Sequence, residues 1–243
     1  MKTQAAVIAL AAALFAVAAF ADHNHTDSLG IKQGHWTEEN ADGFAGEGEY
    51  VHGKKTGHWI IRAPDGGVME THYVNGKKHG KEIVRLADGS VEEGEYVNGK
   101  RHGHWVERLA DDVIVAEGEY VEGKKNGHWV LRGADGGVYE GSMVDDKKNG
   151  HWVWRYADGG VYEGPMLYDK RHGHWVERHA NGNVSEGEYV AGKRYGHWVL
   201  RFANGIVAEG PYVDGKEHGQ WVLRMSDGTE KTVNWRNGEI VDE

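Results

Sequence analysis

The chain has 243 residues, with 38 Asp and Glu against 28 Lys and Arg, 37 Gly, 10 Trp and no Cys. The absence of cysteine excludes a disulfide scaffold, a cysteine nucleophile, an iron–sulfur cluster and any thiolate metal site. The net charge of −10 argues against a general nucleic-acid binder, which needs concentrated positive charge, and a mean hydropathy of −0.67 leaves little material for a core.

Residues 1–21 are predicted to be a secretory signal. Lys2 supplies the positive start, Ala5 to Phe20 is a nearly continuous apolar run, and Ala19-Phe20-Ala21 is a small-x-small cleavage site before Asp22. The run is shorter than the ~20 apolar residues that a membrane span needs. The mature chain would then be secreted or periplasmic. A short segment, 22–32, leads into a repeat domain over 33–238, and 239–243 is a tail.

Gly-His-Trp starts at Gly34, Gly57, Gly103, Gly127, Gly150, Gly173 and Gly196, while Gly80-Lys81-Glu82 and Gly219-Gln220-Trp221 fill the remaining places. The steps are 23 residues, except for one of 24 between Gly103 and Gly127. That extra residue is assigned to Asp111-Asp112-Val113 as a bulge or a lengthened turn. Each unit holds two short Trp-, Val- and Tyr-rich segments bounded by Asp-Gly or Asn-Gly, the strongest hairpin signal. The expected fold is all-β: an elongated, single-layer antiparallel meander of about nine 23-residue β-hairpins, with 17 or 18 strands. Pro165 and Pro211 stand where other units have Glu, and the regular part of their strands is expected to end near Gly164 and Gly210.

Tyr-x-x-Gly-Lys-x-x-Gly-x-Trp followed by Asp-Gly and Glu-Gly-x-Tyr resembles the MORN repeat family, in its bacterial variant with Trp in the first strand. The resemblance spans about residues 33–238. It implies a chain of hairpins in an elongated twisted sheet, and association with membranes is proposed for the family.

Side chains alternate along a strand, so His104, Val106 and Arg108 should share one face, and Trp105 and Glu107 the other. The Trp and Tyr columns are expected to lie across glycines such as Gly94 and so to stabilise a single-layer sheet. A sugar-stacking or base-stacking platform is the alternative. Two charged columns, Arg62 to Arg224 and Glu70 to Glu209, suggest a cross-strand ion-pair ladder. No glutamate in it differs from its neighbours, and no phosphate loop or nucleophile elbow occurs, so no enzyme and no cofactor is expected.

The turns between units carry Lys54-Lys55, Lys77-Lys78, Lys100-Arg101, Lys124-Lys125, Lys147-Lys148, Lys170-Arg171, Lys193-Arg194 and Lys216. Fifteen of the 28 basic residues thus fall on one rim. They serve either as solubility devices or as a comb for anionic lipid, lipopolysaccharide or acidic glycan. His102 with His104 and His172 with His174 have the i, i+2 spacing of two metal ligands on one strand face. The sequence therefore points to an exported, non-catalytic interaction scaffold for an unidentified protein partner. An anionic membrane or glycan surface is the second reading, and open terminal strands add edge-to-edge self-association.

Overall fold

A computed structural model describes residues 23–241, and the predicted signal segment, 1–21, lies outside the described residues. Nine hairpins follow one another in a single open antiparallel sheet, from Lys32–Glu39 with Ala45–Val51 to Gly219–Arg224 with Glu230–Arg236. Every strand pairs with its chain neighbours. Val138–Val144, for example, lies between Lys124–Arg132 and Lys147–Arg155. The hairpins contain eighteen strand passes, counting Lys77–Lys78 with Gly80–Arg85 and its two counterparts as single interrupted strands. Short strands His25–Thr26 and Glu239–Val241 close the two ends. The meander expected from the 23-residue period is the observed architecture.

Two kinds of turn reverse the chain. Within a hairpin, Leu86 and Ser90 close a three-residue loop in which Gly89 has φ +89° and Asp88 Oδ1 accepts the Ser90 N–H at 2.8 Å. Between hairpins the loop has two residues, both at positive φ, as in Asn98-Gly99 (+52° and +85°). Such turns follow the twist of the strands, and Asn-Gly suits them best. The Gly99 N–H also donates to the Lys78 carbonyl at 2.8 Å, tying this turn to the preceding one. Ala191 occupies the same position at φ +51°, where a Cβ without a compensating side chain is strained. Ala191→Asn is therefore expected to raise stability by about 1 kcal/mol, read as a higher unfolding midpoint.

The extra residue lies elsewhere than expected. Asp112, at φ +65°, takes the place of the turn glycine, and its N–H donates to the Leu109 carbonyl, so the loop keeps its normal length. Ile114 pairs with Arg108 and Ala116 with Glu107, which leaves Val115 as the bulge inside the strand.

A second irregularity recurs in the repeats. Gly118 pairs with Trp129, but Glu119 pairs with Asn126, so Gly127 and His128 are skipped in that ladder. Gly127 makes the kink at φ +71°. The indole N–H of Trp129 donates to the Glu119 carbonyl at 3.1 Å beside the skip, and Trp105, Trp175 and Trp198 repeat the bond on Glu95, Pro165 and Glu188. This corrects the expectation for the prolines. Their strands run on through Pro165 to Leu167 and through Pro211 to Val213. What breaks near these positions is the ladder to the next strand, as it does in units without proline. At this site the carbonyl carries the contacts: Pro165 O also accepts the His172 N–H at 3.0 Å.

The same tryptophans form the core. A Cβ placed on Gly118 would sit 2.3 Å from Trp129 Cδ2, and Gly48, Gly94 and Gly187 meet Trp59, Trp105 and Trp198 in the same way. Each ring lies on the glycine of the hairpin before it. Tyrosines then pack edge-on between rings, with Tyr120 5.2 Å from Trp129. Trp59, Trp152, Trp175 and Trp198 are fully buried in a sheet one layer thick. Burying one such ring contributes roughly 4–6 kcal/mol as an upper bound. Trp36, in the first hairpin, has no earlier hairpin glycine to cover and is only half-buried. One unit lacks the ring altogether. Glu82 replaces Trp, and Thr71, fully buried, replaces the glycine beneath.

The opposite face carries a ladder of ion pairs. Arg85 pairs with Glu70 at 3.0 Å, and Arg178, Arg201 and Arg224 pair with Glu163, Glu186 and Glu209 at 2.6 Å. Arg108–Glu93 and Arg155–Glu140 complete the ladder. Each pair joins the second strand of one hairpin to the first strand of the next. Half-exposed pairs of this kind contribute only about 0.2–1 kcal/mol each, so the Trp–Gly clamps dominate.

Candidate functional site

The structure divides the fifteen rim cations into two rows. Adjacent residues of a strand face opposite ways, so the two members of each basic pair part company. Lys55, Lys78, Arg101, Lys125, Lys148, Arg171 and Arg194 are half-buried on the Trp face. Lys55 Nζ is 3.8 Å from the centre of the Trp59 ring, Lys125 Nζ is 4.3 Å from Trp129, and Arg101 and Arg194 lie 4.2 Å over Trp105 and Trp198. A cation so placed adds about 0.5–2 kcal/mol and covers the ring. These seven belong to the core.

The other eight, Lys54, Lys77, Lys100, Lys124, Lys147, Lys170, Lys193 and Lys216, are exposed. Each pairs in register with an aliphatic residue: Val51, Val74, Val97, Val121, Val144, Leu167, Val190 and Val213 respectively. All but Val97 in this row are exposed, from 41% at Val144 to 50% at Val74. The rim thus presents a row of eight lysine–aliphatic pairs, one at each turn between hairpins. Lys100, Lys124 and Lys193 also meet the acid of a neighbouring turn, Glu122, Asp145 and Asp214, at 2.8, 3.8 and 3.3 Å. The turns that lead into Lys54 and Lys77 carry His52-Gly53 and Asn75-Gly76, with no acid, so the N-terminal end of the row is the more positive.

The histidine pairs rest on strict alternation, and that alternation fails where they lie. Gly103, between His102 and His104, has φ +68°, and Gly173, between His172 and His174, has φ +77°. Both glycines sit at the kink of their strand. Among the described residues no three His, Asp or Glu side chains converge as metal ligands. Histidine rings approach one another elsewhere: the centres of His23 and His35 are 4.6 Å apart, and those of His58 and His72, on facing strands, 5.0 Å.

Sequence reasoning passed over a set of glutamates on the Trp face. Glu177, only 3% exposed, ion-pairs with Arg171 and Arg194 and accepts the Tyr189 hydroxyl at 2.8 Å. Glu38 meets Lys32 at 2.6 Å, Lys55 at 2.9 Å and the Tyr50 hydroxyl at 3.0 Å. Burial pushes the Glu38 carboxyl up, but hydrogen bonds from Lys32 and Lys55 outweigh it and hold the group at about 2, against a usual 4.5. A depressed carboxylate stabilises the fold fully above pH 4.5 and loses that contribution as pH falls toward 2. Hydrogen-exchange protection of the first two hairpins, taken against intrinsic exchange at each pH, should therefore fall as pH drops across that window. In Glu38→Gln the same hairpins should show a flat response there.

The family model described as MORN repeat matches residues 47–68, 93–104, 117–138 and 139–161. The chain carries MORN repeats in these four stretches. The matched stretches fall on the hairpins that carry the Trp–Gly clamp, and the 23-residue period continues in phase on both sides of them. Among solved structures, the TCP10 domain of Danio rerio CPAP is similar over 85% of this chain and 97% of that one, at 10% identity and a TM-score of 0.36. The TCP domain of Drosophila melanogaster SAS-4, solved with a proline-rich motif of Ana2, is similar over 89% and 97%, at 12% identity and a TM-score of 0.30. Likeness at this level carries no functional weight. No curated protein matches the chain.

Proposed function

We propose that this MORN-repeat chain is an exported, non-catalytic interaction scaffold whose working surface is the exposed rim. The observation that carries this reading is the row of lysine–aliphatic pairs. The core uses the second cation of each pair and leaves the first outside with an apolar neighbour, unit after unit. An enzyme concentrates its chemistry at one place, whereas this surface is distributed. The pairing also favours one class of partner, because an aliphatic tip beside a lysine suits an anionic lipid surface, with the cation at the phosphate and the apolar group at the acyl boundary.

Co-sedimentation of residues 22–243 with neutral and with anionic phospholipid vesicles, at low and high salt, tests this. A variant with Lys54, Lys77 and Lys100 changed to Glu runs alongside. Binding to anionic vesicles only, lost in salt and in the variant, supports the lipid surface. No binding under any condition removes it and leaves the rim to a protein partner. A turnover abolished by one substitution in one hairpin, and untouched by its equivalents elsewhere, would contradict the scaffold reading itself.

A further inference from the structure

Positions that hold a repeat sheet together recur in every unit, so a cluster of departures that meet in space is a candidate for something other than folding. One such cluster exists, on the Trp face, far from the exposed lysine row. The place held by Met69, Glu92, Ala116, Ser185 and Ala208 is held by Tyr139 and Tyr162 in two consecutive hairpins. Trp154 lies between them, paired in register with both, so three aromatics stand abreast on neighbouring strands. Tyr156 extends the set. Its ring centre is 5.9 Å from Tyr139 and 5.0 Å from Tyr162, and Tyr162 is 5.0 Å from His179.

Beside these rings, between the Asp158 turn and the Asn181 turn, is an open groove of about 590 Å³, lined by Tyr156, Tyr162, His179, Asp158 and Asn181. Ligand sites usually measure about 300–1,000 Å³ and combine aromatic walls with a few polar groups. Asp158 and Asn181 each use Oδ1 on a backbone N–H of their own turn, at 2.9 and 3.0 Å. That leaves a carboxylate oxygen as acceptor and an amide NH₂ as donor. The Tyr162 hydroxyl is 2.7 Å from His179 Nδ1, and in the tautomer where that hydroxyl donates, His179 Nε2 is a donor too.

We propose that this groove is a binding subsite for a neutral oligosaccharide, the rings packing against the CH faces of sugar residues and Asp158, His179 and Asn181 bonding hydroxyls. Two features select this chemistry. Hydroxyls both donate and accept, as the groove requires, whereas a proline-rich segment has few N–H groups to offer a carboxylate. Asp158 places negative charge at the groove, with Asp135 bonded to the neighbouring Tyr139 hydroxyl at 3.3 Å, and this disfavours uronates and sulfated sugars. The inference is independent of the rim reading, and either can fail alone.

Isothermal titration of the chain with cellohexaose, maltohexaose, mannohexaose, xylohexaose and chitohexaose tests it, with decaproline as the competing probe. At least one hexasaccharide should bind, and Tyr156→Ala should weaken it by about tenfold. Phe202→Ala, the same position two hairpins on, should leave the affinity unchanged. Tyr162→Phe keeps the ring and the fold and should weaken binding less than Tyr162→Ala. Unfolding midpoints of all four variants separate a lost site from a lost fold. The proposal is overturned if no hexasaccharide binds at low millimolar concentration. Decaproline binding alone, or hexasaccharide binding that survives Tyr156→Ala at full strength, would overturn it equally.

Discussion

Trp129→Ala is expected to lose about 3–5 kcal/mol, as for other buried aromatic truncations. Several contacts go with the ring, the Tyr120 edge contact among them. Gly118 is uncovered, the Glu119 carbonyl loses its indole donor, and Lys125 loses the ring beneath its ammonium. In a single-layer sheet nothing on the far side of the ring can collapse into the gap, which puts the cost at the upper end. Gly118→Ala is the complementary test, because it leaves every tryptophan in place. Its new Cβ would fall 2.3 Å from the Trp129 ring, so ring or strand must move, at a cost of about 1–3 kcal/mol. Urea unfolding followed by fluorescence measures both. A loss below about 1 kcal/mol for Trp129→Ala would mean the rings are ornaments on a sheet held by its ladders.

The second large effect is a reversal of sign at Thr71 and Glu82. The two replacements occur together in one unit, as a physical couple should, since Thr71 fills the space that a tryptophan at 82 would need. Thr71 Oγ1 is buried without a hydrogen-bond partner, and Glu82, 3% exposed, has Lys78 as its ion partner. Glu82→Trp alone is expected to destabilise, because the indole meets the threonine side chain. Thr71→Gly alone is also expected to destabilise, by opening a void. The double variant rebuilds the clamp seen at Gly94 and Trp105 and should exceed the wild type by about 2 kcal/mol, with a coupling near the top of the usual 0.5–3 kcal/mol range. Additive effects would show that the glycine and the ring act separately.

The period, the hairpins and the Trp-over-Gly device are legible in the sequence, because each is a repeated local pattern with one physical cause. Asn98-Gly99 can hardly form anything but a tight turn, and Gly94 facing a tryptophan column announces a close approach. The kink at Gly103 and its equivalents is not legible, because a glycine next to His-Trp reads as easily as a gap under a ring as it does as a positive-φ corner. That ambiguity gave His102 and His104 a common face which the bent strand does not keep. The division of the rim was within reach: Lys54 and Lys55 are adjacent in a strand and cannot both point outward. Attention to total charge hid it. The alternation that puts Glu107 on the Trp face puts Glu38 and Glu177 there too, yet their burial depends on cations delivered from two strands, which only the register reveals. The aromatic cluster beside the groove is visible in the sequence as Tyr139, Trp154, Tyr156 and Tyr162, but only folding brings these residues together.

From Trp59 to Trp221, each tryptophan that lies on a glycine clamps the hairpin before its own, so stability should pass from neighbour to neighbour. Native-state hydrogen exchange on Trp129→Ala tests this most directly. Protection should fall in the hairpin ending at Val121 and in the one beginning at Lys124, while the hairpins beyond Gly173 keep theirs. Uniform loss along the whole sheet, or no loss on either side of residue 129, would contradict a fold built from ring-on-glycine contacts between successive units.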